Sequence, residues 1–228
     1  MIKGLKICGI SDPETLNYIL NHPYPPKFIG FITNYENSKR YVAYENLKNL
    51  VNVNRKQTNF VSVLVSPTNQ LLEKIKDLNF DYYQLYDVDP IRTFEIKELN
   101  FDYYQLYDVD PNRTKHIKDK YKMKIITALT VSNKEDVDKH KIYSKISDII
   151  LFDSKGYDKS ESFDHNLLND LPSDLDKMIA GNIQINDISN FNNKNFHIDL
   201  SGSVENSEGK KDINKIDKLL NLVAKYEA

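Results

Sequence analysis

The chain has 228 residues, with 31 Lys and Arg against 33 Asp and Glu for a formal net charge of −2, and 40% of its residues are hydrophobic. Near-neutrality with interspersed signs gives no bulk drive toward nucleic acid or an anionic membrane, and the length fits one sizeable domain over residues 1–228. A single cysteine excludes an internal disulfide framework and a Cys-rich zinc site, no apolar run reaches membrane-spanning length, and the start "MIKGLKICGI" is too short for a signal peptide, so a soluble cytoplasmic protein is expected.

Along the chain, short runs rich in Ile, Val, Phe and Tyr alternate with longer amphipathic stretches, which is the pattern of βα units feeding a parallel sheet. The predicted strands are "LKICGI", "KFIGFIT", "FVSVLVS", "DYYQLY", "KIITALT", "DIILFDS", "KMIAGNI" and "NFHIDLSG". Predicted helices span Pro13 to Asn21, Tyr44 to Val51, Asn69 to Asp77, Lys134 to Lys145 and Ile213 to Tyr226. The eight strands count "DYYQLY" once, although it occurs twice. Eight βα units in this length make an α/β chain of the (β/α)8 TIM-barrel type. The Gly-rich nucleotide turn of a doubly wound sheet, G-x-G-x-x-G, is absent.

The repeated unit runs from Leu78 to Glu98 and again from Leu99 to Asp119, with 17 of 21 positions identical. No third copy follows, so this is not a solenoid period. It reads as an internal tandem duplication of the strand 4/helix 4 segment. Strand number, shear and tilt are linked in a closed barrel, so the expectation is that one copy fills the strand 4 slot and the other is extruded.

In such a barrel the chemistry sits at the carboxyl ends of the strands. Polar residues at those ends are Cys8 after the first strand, Asp153 after the sixth, and Asp199 and Ser201 along the eighth. The two-residue period of a strand puts Lys6 and Cys8 on one face and Leu5 and Ile7 on the other, apolar face, which should meet the helices. Likewise Ile149, Leu151 and Asp153 share a face. By themselves, Cys8 fits a small buried residue and Asp153 a strand-end helix cap.

In order along the chain, "LKICGI", "KFIGFI" with "SKRYV", "YQLY", "ILFDS", "MIAGNI" and "IDLSGSVENSEGKKD" resemble the motif series of the phosphoribosylanthranilate isomerase family of tryptophan biosynthesis. The resemblance implies an Amadori rearrangement of N-(5-phosphoribosyl)anthranilate to the open-chain 1-(2-carboxyphenylamino)-1-deoxyribulose 5-phosphate, with no metal or organic cofactor. It implies Asp153 as the acid that opens the ribose and Cys8 as the base at C2′. Such roles need an aspartic acid with a raised pKa and a cysteine available as thiolate, for which Lys6 could supply positive charge. By the same resemblance Arg40 pairs with the anthranilate carboxylate; Asp199 is expected to face the ribose hydroxyls or the bridging amine, and Lys6, on the face of Cys8, is expected among the substrate-binding residues. The phosphate is expected on the backbone amides of Gly181, Asn182, Gly202 and Ser203.

There are departures from the family pattern. Asn182 stands where a second glycine is usual, Gly202-Ser203 reverses the usual order, and Tyr86 and Tyr107 replace a histidine. Asparagine tolerates left-handed backbone, so the first change need not lose the site. The stretch "KGYDKSESFDH" offers only Gly156 where a glycine-rich phosphate lid is expected. The expected partner is a small phosphorylated substrate, with no nucleic acid and no membrane, and the protein is expected to be a monomer or weak dimer. Two other readings stay open: a barrel whose duplication has impaired activity, and a phosphate-binding barrel acting on another sugar phosphate.

Overall fold

The computed structural model describes residues 1–65, 68–78, 80–86, 103–107, 124–154, 162–192 and 194–226. Among the described residues nine parallel strands close a barrel: β1 (Gly4–Cys8), β2 (Phe28–Ile32), β3 (Asn59–Val65), β4 (Tyr82–Tyr86), β5 (Tyr103–Tyr107), β6 (Lys124–Thr130), β7 (Ile149–Asp153), β8 (Lys177–Ile179) and β9 (Phe196–Leu200). Each strand pairs with its sequence neighbours, and β9 closes on β1.

The expectation of an eight-stranded barrel with one extruded copy is corrected by β4 and β5, which are the two copies of YYQLY. Both lie in the barrel wall, paired with each other at Tyr83 to Tyr104 and Gln84 to Gln105. The first copy pairs along its length with β3, and the second with β6. The physical reason is that a strand offers hydrogen-bonding groups on both edges, and leaving either copy out would expose such edges unpaired. Barrel diameter grows smoothly with strand number, so a ninth strand widens the barrel rather than preventing closure. The segments that follow the two copies, 87–102 and 108–123, lie outside the described residues, as does the glycine-poor stretch 155–161.

The helices follow their sequence signals. α1 (Pro13–Asn21) starts with Asp12 accepting the Thr15 amide at 2.8 Å and Pro13 in the first turn, and it buries Leu16, Ile19 and Leu20. α2 (Tyr44–Val51) buries Leu47 and Leu50, and α3 (Asn69–Ile75) runs on as a 3-10 turn to Leu78. The helix expected over Lys134 to Lys145 is broken into α4 (Lys134–Asp138) and α5 (His140–Tyr143). Here the buried His140 imidazole takes the Val137 carbonyl at 2.8 Å, the group that an unbroken helix would give to the amide of residue 141. α6 (Ile213–Val223), capped by Asp212, turns Ile216, Leu219, Leu220 and Val223 toward the barrel.

Strand alternation divides the apolar residues into two sets. Phe28, Val61, Ala128, Leu151, Met178 and Ala180 pack inside the barrel. Leu5, Ile7, Ile29, Phe31, Phe60, Phe152 and Ile198 point outward and form the larger core with the helices, as predicted for Leu5 and Ile7. Inward positions on β1 and β9 are therefore Gly4, Lys6 and Cys8, and His197 and Asp199. Among the described residues no helix is long and apolar enough to cross a membrane.

Candidate active site

Lys6 on β1 stands opposite Asp199 on β9, and its Nζ donates to Asp199 Oδ2 at 2.8 Å. The side chains are only 4% and 10% exposed, so this is a buried ion pair inside the barrel. Cys8 lies one inward position further toward the strand end, in register with Gly30 of β2. A Cβ on Gly30 would lie 2.8 Å from Cys8 Sγ, so glycine there leaves the space the thiol occupies. Asp153 ends β7, its Oδ1 accepts the Ser154 amide at 2.8 Å, and its carboxylate helps hold the charge on Lys6.

The electrostatics refine what the sequence suggests. Burial pushes the Cys8 thiol above its ordinary range; Lys6, Lys211 and Arg40 pull the other way, while Asp199 adds to the upward push. Lys6 thus favours the thiolate as expected, but desolvation outweighs it. Burial acts to lower the Lys6 pKa, yet Asp199, Cys8 and Asp153 together hold it above its ordinary value.

Arg40 comes from the loop after β2. Gly9 makes room for it, since a Cβ there would meet Arg40 Cδ at 2.5 Å on a backbone with φ of +79°. Its guanidinium grips Glu205 side-on, Nε to Oε1 at 2.5 Å and Nη2 to Oε2 at 3.0 Å. Glu205 Oε1 also accepts from Lys211 Nζ at 2.7 Å. Lys211 donates further to the Ser201 carbonyl at 2.9 Å, and the Ser201 hydroxyl donates to the Cys8 carbonyl at 3.0 Å. Burial would raise the Glu205 pKa, but Arg40 and Lys211 hold it below the ordinary carboxylate range.

The residues expected at the phosphate lie after β8 and β9. Gly181 has φ of +91°, and a Cβ on it would come within 2.9 Å of Ser154, the neighbour of Asp153. Asn182 adopts the left-handed backbone that the sequence allows it, φ of +52°, with its carbonyl and Oδ1 accepting from Gln184 Nε2. These two turns end β8 at Ile179, short of the predicted strand. Gly202 and Ser203 open a 3-10 turn, Gly202–Val204; a Cβ on Gly202 would be 3.8 Å from Arg40 Nη2, and the Ser203 hydroxyl is buried with no hydrogen-bond partner among the described residues.

The fold therefore brings Lys6, Cys8, Asp199, Arg40 and Gly202 together, and sets Gly181 and Asn182 beside the end of β7. Glu205 and Lys211 were not singled out by sequence reasoning. The signal was present in the alternating acids and lysines of "VENSEGKKD", whose ends meet in an antiparallel bridge between Glu205 and Lys211. Among the described residues no cluster of three His, Cys, Asp or Glu side chains could hold a metal ion.

Comparison with known proteins converges on one family. The family model described as N-(5'-phosphoribosyl)anthranilate (PRA) isomerase matches residues 88–222. N-(5'-phosphoribosyl)anthranilate isomerase of Rhizobium johnstonii is 30% identical over all of this chain and 97% of its own, and that of Sulfurihydrogenibium sp. is 29% identical over 96% and 98%. The crystal structure of phosphoribosyl anthranilate isomerase from Thermotoga maritima superposes with a TM-score of 0.71 at 22% identity, covering 99% of this chain and 100% of that one, and so supports the fold. The family model over more than half of the chain and a relative 30% identical along its whole length place the protein in the N-(5'-phosphoribosyl)anthranilate isomerase family.

Proposed function

We propose that Cys8 and Asp153 carry the two proton transfers of the reaction that family membership gives this chain. The protein is an intramolecular isomerase of tryptophan biosynthesis, converting N-(5-phosphoribosyl)anthranilate to 1-(2-carboxyphenylamino)-1-deoxyribulose 5-phosphate. Asp153 gives a proton to the ribose ring oxygen as the C1′–O bond breaks, and the nitrogen lone pair moves to C1′ to leave a protonated imine, an iminium, with its N–H intact. Cys8 takes the C2′ hydrogen as a proton, and the resulting enolamine ketonises to product. The observation that supports this assignment is the thiol of Cys8 held inward at the strand end in the gap left by Gly30.

The half-buried Cys8 thiol must lose its proton before it can act as a base. Lys6, Arg40 and Lys211 all favour that loss. Arg40 binds the anthranilate carboxylate, a task suited to a planar guanidinium. Asp199, with one carboxylate oxygen on Lys6 and the other buried without a hydrogen-bond partner among the described residues, accepts from the ribose hydroxyls or the bridging amine. The phosphate is held by the amides of Gly181, Asn182, Gly202 and Ser203, with the buried Ser203 hydroxyl as a further donor. Residues 1–228 act as one catalytic domain, and the repeated strand records an internal duplication.

Cys8→Ser and Asp153→Asn each test the roles. Turnover, followed by the fluorescence of the anthranilate substrate, should fall about 10²–10⁴-fold in either variant while product still binds. Near-wild-type turnover in one of them would remove that residue from the chemistry.

A further inference from the structure

A guanidinium already gripped by a carboxylate is a poor receptor for another. Arg40 and Glu205 together carry no net charge, and the Nε–Nη2 side of Arg40 is taken up by Glu205. What makes the cluster cationic is Lys211. Its side chain is only 1% exposed, and its ammonium lies 2.7 Å from Glu205 Oε1. With Lys211 counted, the three groups sum to one positive charge, and it lies where desolvation keeps it from being screened by salt.

The placement has a local cause. Residues 206–210 form a tight loop, with the Asn206 amide donating to the Lys210 carbonyl at 2.8 Å and the Gly209 amide to the Asn206 carbonyl at 3.1 Å. Gly209 takes the left-handed φ of +77° that closes it. The loop sets Glu205 and Lys211 opposite one another in an antiparallel bridge, which brings their side chains to the same face. Lys211 is then fixed from behind by the Ser201 carbonyl at 2.9 Å.

We propose that Glu205 and Lys211 are positioning residues for the carboxylate end of the substrate: Glu205 locks the side of the Arg40 guanidinium, and Lys211 restores the positive charge that this lock cancels. The Nη1–Nη2 end of Arg40 is thereby presented, oriented and net cationic, to a second planar anion. The inference rests on the reading of Arg40 as the carboxylate-binding residue. It assigns to the pair a specificity for aryl amines bearing a carboxylate, apart from any part in proton transfer.

The test compares affinity for the borohydride-reduced product with affinity for its anilino counterpart, which lacks the carboxylate. In the wild type the first should bind more tightly. Lys211→Met should shrink that preference about tenfold, through weaker binding of the carboxylated ligand alone, with kcat changed less than KM. The double variant Glu205→Gln/Lys211→Met again leaves Arg40 as the one net charge and removes the buried carboxylate, so its preference should return to within about threefold of wild type. If Lys211→Met does not fold, Lys211→Gln carries the comparison, since its amide removes the charge but can still donate to Glu205 and the Ser201 carbonyl, and the same tenfold loss of preference is expected. An unchanged preference in Lys211→Met, an equal loss for both ligands, or no recovery in the double variant overturns the proposal. Arg40→Lys separates the two levels. If it leaves the preference intact, the reading of Arg40 itself fails; if it abolishes the preference while Lys211→Met does not, only the role of Lys211 fails.

Discussion

One inward-facing histidine outside the set assigned to the chemistry should make a separable contribution to the acid side of this protein's stability. His197 points into the barrel two residues before Asp199, opposite Gly4, with its side chain 5% exposed and its ring edge-on to Phe28 at 6.2 Å. Burial pushes its pKa from 6.5 down to about 4, Lys27 pushes in the same direction, and Asp176 at 3.5 Å only partly opposes them. The folded state thus keeps the imidazole neutral where the unfolded chain would protonate it. The unfolded state binds more protons between pH 6.5 and 4, so this contribution is complete above pH 6.5 and is lost as pH falls through that window. The two pKa values imply a loss of about 1 kcal/mol at pH 5.5 and roughly 2–3 kcal/mol at pH 4.5. Urea unfolding of wild type and His197→Gln at pH 7, 5.5 and 4.5 isolates it, because carboxylate titrations are common to both proteins. The wild type should lose that much more than the variant. Parallel stability curves down to pH 4.5 would show that His197 is not held neutral by its surroundings.

Other outcomes follow from the site. Gly30→Ala places a methyl group 2.8 Å from the Cys8 sulfur, so kcat should fall at least tenfold with little change in melting temperature, measured by steady-state kinetics and thermal unfolding. Gly181→Ala combines a disfavoured φ of +91° with a 2.9 Å clash on Ser154 and should destabilise the fold by about 1–3 kcal/mol in urea melts while raising KM. Cys8 is the sole cysteine, so thiolate absorbance titrates it directly; the thiolate should form only above the ordinary thiol range, and higher still in Lys6→Met. Arg40→Lys should raise KM more than it lowers kcat, since an ammonium cannot reproduce the fork and also frees one side of Glu205.

Much of this arrangement can be read from the chain. The alternation in "LKICGI" separates Lys6 and Cys8 from Leu5 and Ile7, and the helices expected to start at Pro13 and Ile213 start there in the structure. What escapes a sequence reading is whatever depends on closure. Two copies of YYQLY have the same strand propensity, and membership of the barrel is decided by the edges that β3 and β6 offer, not by any residue in the copies. Lys6 and Asp199 meet only because β9 closes on β1 across nearly the whole chain. The Arg40–Glu205–Lys211 cluster likewise joins a loop after β2 to one after β9, and a lysine-rich sequence gives no reason to choose Lys211 before that closure is known. The split of the Lys134 helix turns on a single imidazole taking a main-chain carbonyl, which helical periodicity does not register.

The named groups occupy one side of the barrel. Travelling around the wall, they lie on or just after β7, β8, β9, β1 and β2, which are consecutive neighbours, whereas the two copies of YYQLY are β4 and β5 on the facing side. The junction between those copies is matched at only two residue pairs, against five on each of its flanks. The lightly fastened joint therefore lies across the ring from the candidate site, and loosening it would slacken the wall between β3 and β6 while the pairings that join β7, β8, β9, β1 and β2 stay in register.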